Sequence, residues 1–194
     1  SYPTNLFEII IIDDNSKDNT VKIIKSYQRN MNNLKLLSSS DDKYSKLNFK
    51  KKPLSIGINN ARGEIILLTD ADCRIPRKWI ETMSSYFTDE VGFVIGHSQL
   101  KTFYTNQEKF EALDFLLLSS AGRSSSQLNF PLACTGQNIA YRKKAFFEVN
   151  GFNDFANALG GDDTFLMELI KKKTNWKIVY AVDKDSYVRT NPCN

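Results

Sequence analysis

Histidine, cysteine and long hydrophobic runs are scarce in this chain of 194 residues. Its one histidine, His97, cannot by itself build a His-ligated zinc site or an imidazole relay. The three cysteines, Cys73, Cys134 and Cys193, form no C-x-x-C pair, and any disulfide scheme leaves one unpaired. Free thiols and a reducing, cytoplasmic compartment are therefore expected. Apolar stretches such as 9–12 and 65–68 are far shorter than the ~20 residues that cross a bilayer. The opening residues carry no signal-peptide pattern, so the chain reads as a soluble domain. G-x-S-x-G, H-E-x-x-H, G-x-x-x-x-G-K-[ST] and G-x-G-x-x-G are all absent, which removes the common hydrolase, zincin, P-loop and dinucleotide signatures.

What is present is an ordinary globular composition, with 41% apolar and 25% charged residues. The length suits one domain over 1–194 with a core that needs no metal or disulfide staple. Against 22 acids stand 26 Lys and Arg, a net +4 too mild to argue for nucleic acid. The lysines are nonetheless clustered at 43–52 and 171–173.

Short β-rich runs alternate with helical periods, which means α/β. Residues 7–12 and 65–68 are continuous apolar runs, as in central strands covered on both faces. Strands are also expected at 34–37, 91–95, 138–141, 177–180 and 187–190. Helices are expected around Val21–Tyr27, from Pro53 through Ala61, from Pro76 through Phe87, and over 106–120, 143–149 and 163–172. A polar Gly/Ser loop is expected at 119–127. Phe110, Leu113, Leu116 and Leu117 have the spacing of a buried helix face. Cys134 reads as a small core residue and His97 as structural.

Carboxylates are left to carry the chemistry. Asp13 and Asp14 close the first strand, at the sheet edge where open α/β folds bind ligands. Asp14, Ser16 or Asp18 could equally cap the following helix. Asp70 and Asp72 close the strand at 65–68, and alternate residues of an extended backbone point the same way, toward one hard cation and a nucleotide's phosphates. Asp183-Lys184-Asp185 repeats that spacing, but Lys184 competes with any cation and a surface turn explains it. Lys50, Lys51 and Lys52 precede a helix start, where cations are unfavourable unless an anion such as phosphate joins them; a solvated basic loop is the alternative. Asp162 and Asp163 follow Gly160-Gly161 and open a helix, either as caps or as an acid that takes a proton from an attacking hydroxyl.

Read together, 7–20 (FEIIIIDDNSKDNT), 60–72 (NARGEIILLTDAD), 135–146 (TGQNIAYRKKAF) with Gly151-Phe152, and Gly161-Asp162-Asp163 resemble glycosyltransferase family 2, the inverting nucleotide-sugar transferases of GT-A fold. The resemblance implies a mixed central sheet flanked by helices. It gives Asp14, beside Asp13, the nucleotide base, and makes Asp70 and Asp72 the DxD motif, with Asp72 the ligand of a divalent metal, Mn²⁺ or Mg²⁺. Asp163 becomes the general base, beside Asp162 where the family has Glu; Lys50 becomes the lysine of the nucleotide pocket, and Asn138 part of the acceptor-side wall.

Two motifs of the family have no counterpart here. Its first strand belongs before Tyr2-Pro3, and its Q-x-x-R-W does not occur before Asn194, so the chain is expected to be a catalytic domain truncated at both ends. In bacterial membrane-associated members that motif and hydrophobic helices follow the domain, which implies a membrane association through segments outside this chain. The implied partners are a nucleotide-sugar donor, a UDP-sugar by expectation, and a saccharide or lipid-linked acceptor, with no nucleic acid. Two competing classes remain. A metal-dependent nucleotidyltransferase would release pyrophosphate. A noncatalytic module binding anionic polymers would show steep salt dependence without needing Asp72.

Overall fold

The computed structural model describes residues 2–40, 47, 50–100, 105–127, 131 and 133–190; Lys43, Lys46 and Cys193 lie outside them. The isoleucine run forms β1 (Ile9–Asp13), which pairs in parallel with β2 (Leu34–Ser38), from Ile9↔Leu34 to Asp13↔Ser38. Helix α1 (Thr20–Gln28) makes the crossover. Asn19, the N-cap of α1, makes no side-chain capping bond, but Asp18 Oδ1 one residue earlier accepts the Thr20 N–H at 2.9 Å, so Asp18 and not Asp14 serves the helix start. The chain then runs through α2 (Lys51–Asn60) into β3 (Ile65–Leu68). Helix α2 lies close on β1: a Cβ on Gly57 would sit 2.8 Å from Ile12 Cδ1, and glycine permits that approach.

After α3 (Trp79–Ser85) come β4 (Val91–Ile95), β5 (Ser98–Leu100) and the long α4 (Asn106–Gln127). The chain finishes through β6 (Ile139–Arg142), α5 (Lys143–Glu148), α6 (Asp162–Lys173), β7 (Lys177–Tyr180) and β8 (Val188–Thr190). A four-stranded mixed sheet is ordered β3-β6-β4-β7, with β6 antiparallel to both neighbours and β7 parallel to β4. Strands β5 and β8 form a parallel pair. Among the described residues β1–β2 is thus a ladder separate from the four-stranded sheet, and the outer edges of β1 and β3 have no strand partner.

Two apolar layers sandwich the four-stranded sheet, because successive strand residues face opposite sides. Phe93, Tyr141, Phe146, Phe152, Leu166 and Ile170 fill one layer; Trp79, Met83, Val94, Ala140 and Val188 fill the other. Tyr141 stacks on Phe93 and Phe146, with ring centroids 5.8 and 5.9 Å apart.

Several expected boundaries shift for local reasons. Pro53 is the third residue of α2 and not the first, a place where its missing N–H is still harmless. Pro76 does not open α3 but accepts the Trp79 N–H in the turn before it, at 3.1 Å. The polar segment 119–127 is helix and not loop. There the Ser125 hydroxyl donates to the Gly122 carbonyl at 2.9 Å, so a mid-helix serine finds its partner within the helix itself. Phe110, Leu113, Leu116 and Leu117 are each at least half exposed, so their spacing marks one face of α4 without a core against it. Among the described residues, no helix is long and apolar enough to cross a membrane.

Candidate functional site

Strand β3 ends at Leu68, and Asp70 to Cys73 is a turn closed by the Cys73 N–H on the Asp70 carbonyl at 3.1 Å. Asp70 and Asp72 therefore sit on a turn beyond the strand, not on extended backbone. The turn is held from behind by the pair Arg74 N–H to Arg189 O, 2.7 Å, and Arg189 N–H to Arg74 O, 3.0 Å. Asp70 Oδ1 lies 3.2 Å from the ammonium of Lys50, whose side chain is 73% exposed. Asp72 is exposed.

The opposing acids belong to α6. Gly160 and Gly161 both adopt φ of 71°, a left-handed conformation that suits glycine and turns the chain into the helix. Asp162 and Asp163 then occupy the first turn, where the helix dipole favours negative charge. Asp163 lies against the loop before β6: a Cβ on Gly136 would be 2.4 Å from its Oδ2. Thr164 pins the same loop, donating to the Cys134 carbonyl at 3.3 Å. Burial pushes the Asp163 carboxyl up to about 6, with Asp162 and Asp70 adding repulsion while Lys50 and the Gly136 N–H oppose it. Burial, with Asp163 nearby, also raises the Cys134 thiol, which fits a structural cysteine.

Asp162 faces the other way. Its Oδ1 is 2.7 Å from Lys51 Nζ, and Lys51 is fully buried. The lysine run thus splits: Lys50 points to Asp70, while Lys51 turns inward to α6. Asp70, Asp163 and Lys50 form one electrostatic group.

Asp13 and Asp14 are held within the β1–β2 unit. Asp13 Oδ1 accepts the Ser16 N–H at 3.3 Å, around Asn15 at φ 62°. Asp14 Oδ1 accepts the Ser39 hydroxyl, which leaves its other oxygen for a ligand donor. Ser39 escaped the sequence reading, as did the pairing of Lys51 with Asp162 and the contact of Asp163 with Gly136. The parallel register brings the end of β2 beside Asp13 and could have signalled the serine; nothing in the lysine run distinguishes Lys51 from its neighbours.

Asn138, expected on the acceptor-side wall, is fully buried. It accepts from Trp79 Nε1 at 3.0 Å and donates to the carbonyls of His97 and Ser186, each at 2.8 Å. Its side chain is a junction between β4, β6 and the segment before β8, lying behind any wall surface rather than forming it. A Cβ on Gly96 would be 2.3 Å from its amide. His97 is structural in form: its ring packs on Tyr187 at 4.5 Å and its Nδ1 is 3.1 Å from Tyr180 Oη. Burial, with Arg123 nearby, lowers its pKa. Asp183 accepts the Tyr86 hydroxyl at 2.5 Å, as a surface turn allows.

A divalent cation suits the acids that are present. Carboxylates are hard oxygen donors. No cluster of three or more His, Cys, Asp or Glu could hold a metal among the described residues. One or two carboxylates are what a cation needs when phosphates and water complete its shell.

A mixed α/β sheet with acids on the turn after β3 and at the start of α6 defines a GT-A-like fold. The chain belongs to Glycosyl transferase family 2, whose model matches residues 1–149. A "Probable glycosyltransferase YdaM" from Bacillus subtilis is 27% identical over 169 residues, 81% of this chain and 38% of that protein. The poly(ribitol-phosphate) beta-N-acetylglucosaminyltransferase TarS of Staphylococcus aureus is 30% identical over 46% of this chain and 14% of its own. The chain thus spans well under half the length of these relatives. Among solved structures, the mannosyltransferase PcManGT of Pyrobaculum calidifontis, in complex with GDP-Man and Mn²⁺, superposes with a TM-score of 0.71 at 19% identity, over 97% of this chain and 48% of that one. TarS 1-349 in complex with UDP gives 0.64 at 19% identity, over 98% and 52%. At such identities the superpositions establish the fold alone.

Proposed function

We propose that this domain transfers a sugar, with inversion, from a nucleotide-sugar donor to an acceptor hydroxyl, and that Asp163 is the general base. The observation that carries this reading is the Asp163 carboxyl itself: half-buried at a helix start, raised to about 6, and electrostatically coupled to the acid on the β3 turn. A base with that affinity is largely ionised at neutral pH yet can still take a proton. Asp14, steadied by Ser39, would accept a hydrogen bond from the nucleotide base, and Lys50 is exposed enough to leave Asp70 for a diphosphate. Asp72, with Asp70, would hold a divalent cation. That cation would supply positive charge against the departing diphosphate. One displacement needs no second catalytic acid at glycosidase spacing, since the metal-bound diphosphate is already a good leaving group. The fold shared with PcManGT, in complex with GDP-Man, and with TarS, in complex with UDP, supports a nucleoside-diphosphate donor, of which a UDP-sugar is our expectation. A saccharide or lipid-linked acceptor, at the cytoplasmic face of a membrane in a longer protein, completes the proposal.

Calorimetric titration of UDP and GDP, with and without Mn²⁺, on this chain and on Asp72→Ala is the test. We expect binding that needs Mn²⁺ and weakens at least about tenfold in the variant, the loss of one charge-assisted contact. Release of nucleoside diphosphate with a sugar donor would complete it. Metal-independent binding that Asp72→Ala leaves unchanged, or release of pyrophosphate, would overturn it.

A further inference from the structure

Lys51 has no role in the chemistry just described, yet it is fully buried. A lysine ammonium is rarely withdrawn from water unless it is paired. This one also sits at the first residue of α2, where the helix dipole disfavours positive charge. Both costs are offset across the fold: Nζ donates to the Ala158 carbonyl at 2.7 Å and stands 2.7 Å from Asp162 Oδ1.

Those two partners, one by hydrogen bond and one by ion pair, are the two ends of one loop. Between them Leu159 is 83% exposed, Gly160 would meet no atom within 4 Å even if it carried a Cβ, and both glycines are left-handed. The middle of the loop is thus weakly packed, while one buried ammonium fastens its ends. The residue after the clamp is Asp163.

We propose that Lys51 is a positioning residue for the transfer reaction: by fastening Ala158 and Asp162 it fixes the loop that aims Asp163 at the acceptor hydroxyl. The inference rests on Asp163 being the base. It assigns two tasks to adjacent residues at the start of α2, Lys50 just before the helix at the donor acids and Lys51 behind the base. A misplacement of about 1 Å in such a group can cost about 100-fold in rate, so the clamp acts on turnover and leaves donor binding alone.

The experiment compares Lys51→Met, Asp162→Asn and the double variant in the full chain, by donor kinetics, thermal melting and amide hydrogen exchange over 158–164. Lys51→Met should lower kcat about 10- to 100-fold with donor KM within about threefold. It should also melt lower, because Asp162 is left without its cation. The double variant removes both charges and should regain most of the melting temperature, since a buried pair can be exchanged for neutral groups at little cost. Its kcat should stay low, and amides 159–163 should exchange at least about tenfold faster, because the hold on Ala158 is still missing. Recovery of kcat together with the melting temperature would mean a merely structural pair and would overturn the proposal. So would wild-type kcat or wild-type loop protection in the double variant. Asp163→Asn is run alongside: full turnover there would refute the base assignment itself, while loop exchange would still judge the clamp separately.

Discussion

Strands β1 and β4 are both short, predominantly apolar runs and end in different environments. Ile9–Asp13 and Val91–Ile95 are both five residues long and mostly Ile or Val, yet every residue of β4 is buried and every residue of β1 is half-buried. The difference is one of neighbours. Strand β4 lies between β6 and β7 with a packed layer on each face, whereas β1 pairs with β2 alone and leaves an edge open among the described residues. An apolar run states what a strand is able to cover, and only the remainder of the fold states what covers it. The chemistry is divided along the same line. Asp14 stands on the lightly packed unit, while Asp70 and Asp163 stand on elements anchored to the deep sheet. Glu8 ties the two regions together, pairing with Lys35 at 2.7 Å and accepting the Arg62 N–H at 2.5 Å.

The comparison breaks most sharply under core truncation. Phe93→Ala removes a fully buried ring from the layer containing Tyr141 and should cost about 3–5 kcal/mol, whereas Ile10→Ala in the half-buried strand should cost about 1–2 kcal/mol. Chemical denaturation of both variants measures the gap. Equal losses would mean that β1 is as firmly covered as β4.

A smaller contrast comes from two asparagines that each serve backbone groups. Asn138→Ala leaves Trp79 Nε1 and the buried Ser186 carbonyl without their side-chain partner and takes from the His97 carbonyl one of its two donors, the Val188 N–H remaining, a loss of about 2–3 kcal/mol. Asn33→Ala gives up longer bonds to the carbonyls of Thr4 and Phe7, at 3.4 and 3.3 Å, near solvent, and should cost under about 1 kcal/mol. The same denaturation series reads both. A loss from Asn33→Ala as large as that from Asn138→Ala would show the N-terminal ladder to depend on that side chain.

The sequence made most elements legible because their periods are clean and uninterrupted. Strands β3, β4 and β7 fall on the expected residues, and the acids fall at or near the ends of elements as their positions after apolar runs suggested. What escaped was partnership. The spacing of Phe110, Leu113, Leu116 and Leu117 specifies a helix face but says nothing of whether a layer meets it, and none buries these four. Three adjacent lysines look alike in sequence, although their successive directions around a helix send Lys50 to Asp70 and Lys51 inward. The resemblance implies a place for Asn138 on the acceptor side, but no motif tells that its side chain is fully buried among Trp79 and the carbonyls of His97 and Ser186.

The finest test separates the two regions by pH. The folded Asp163 carboxyl titrates at about 6, against an ordinary 3.8. As pH rises from about 4 to 6 the unfolded chain releases this proton first, so the folded state holds more protons and this group's contribution to stability falls through that window. Turnover should move oppositely, rising with pH through about 6 as the base ionises. A pH series of kcat and of melting temperature should therefore show the two curves diverging between pH 4 and 6, and Asp163→Asn should abolish both trends from this group. Asp14→Asn, on the β1–β2 unit, should raise donor KM about tenfold or less while leaving the acidic limb of kcat where it was, since Asp14 holds the donor and takes no proton. Movement of that limb in Asp14→Asn would mean that the lightly packed unit sets the base as well as the donor, and the division of labour drawn from burial would fail.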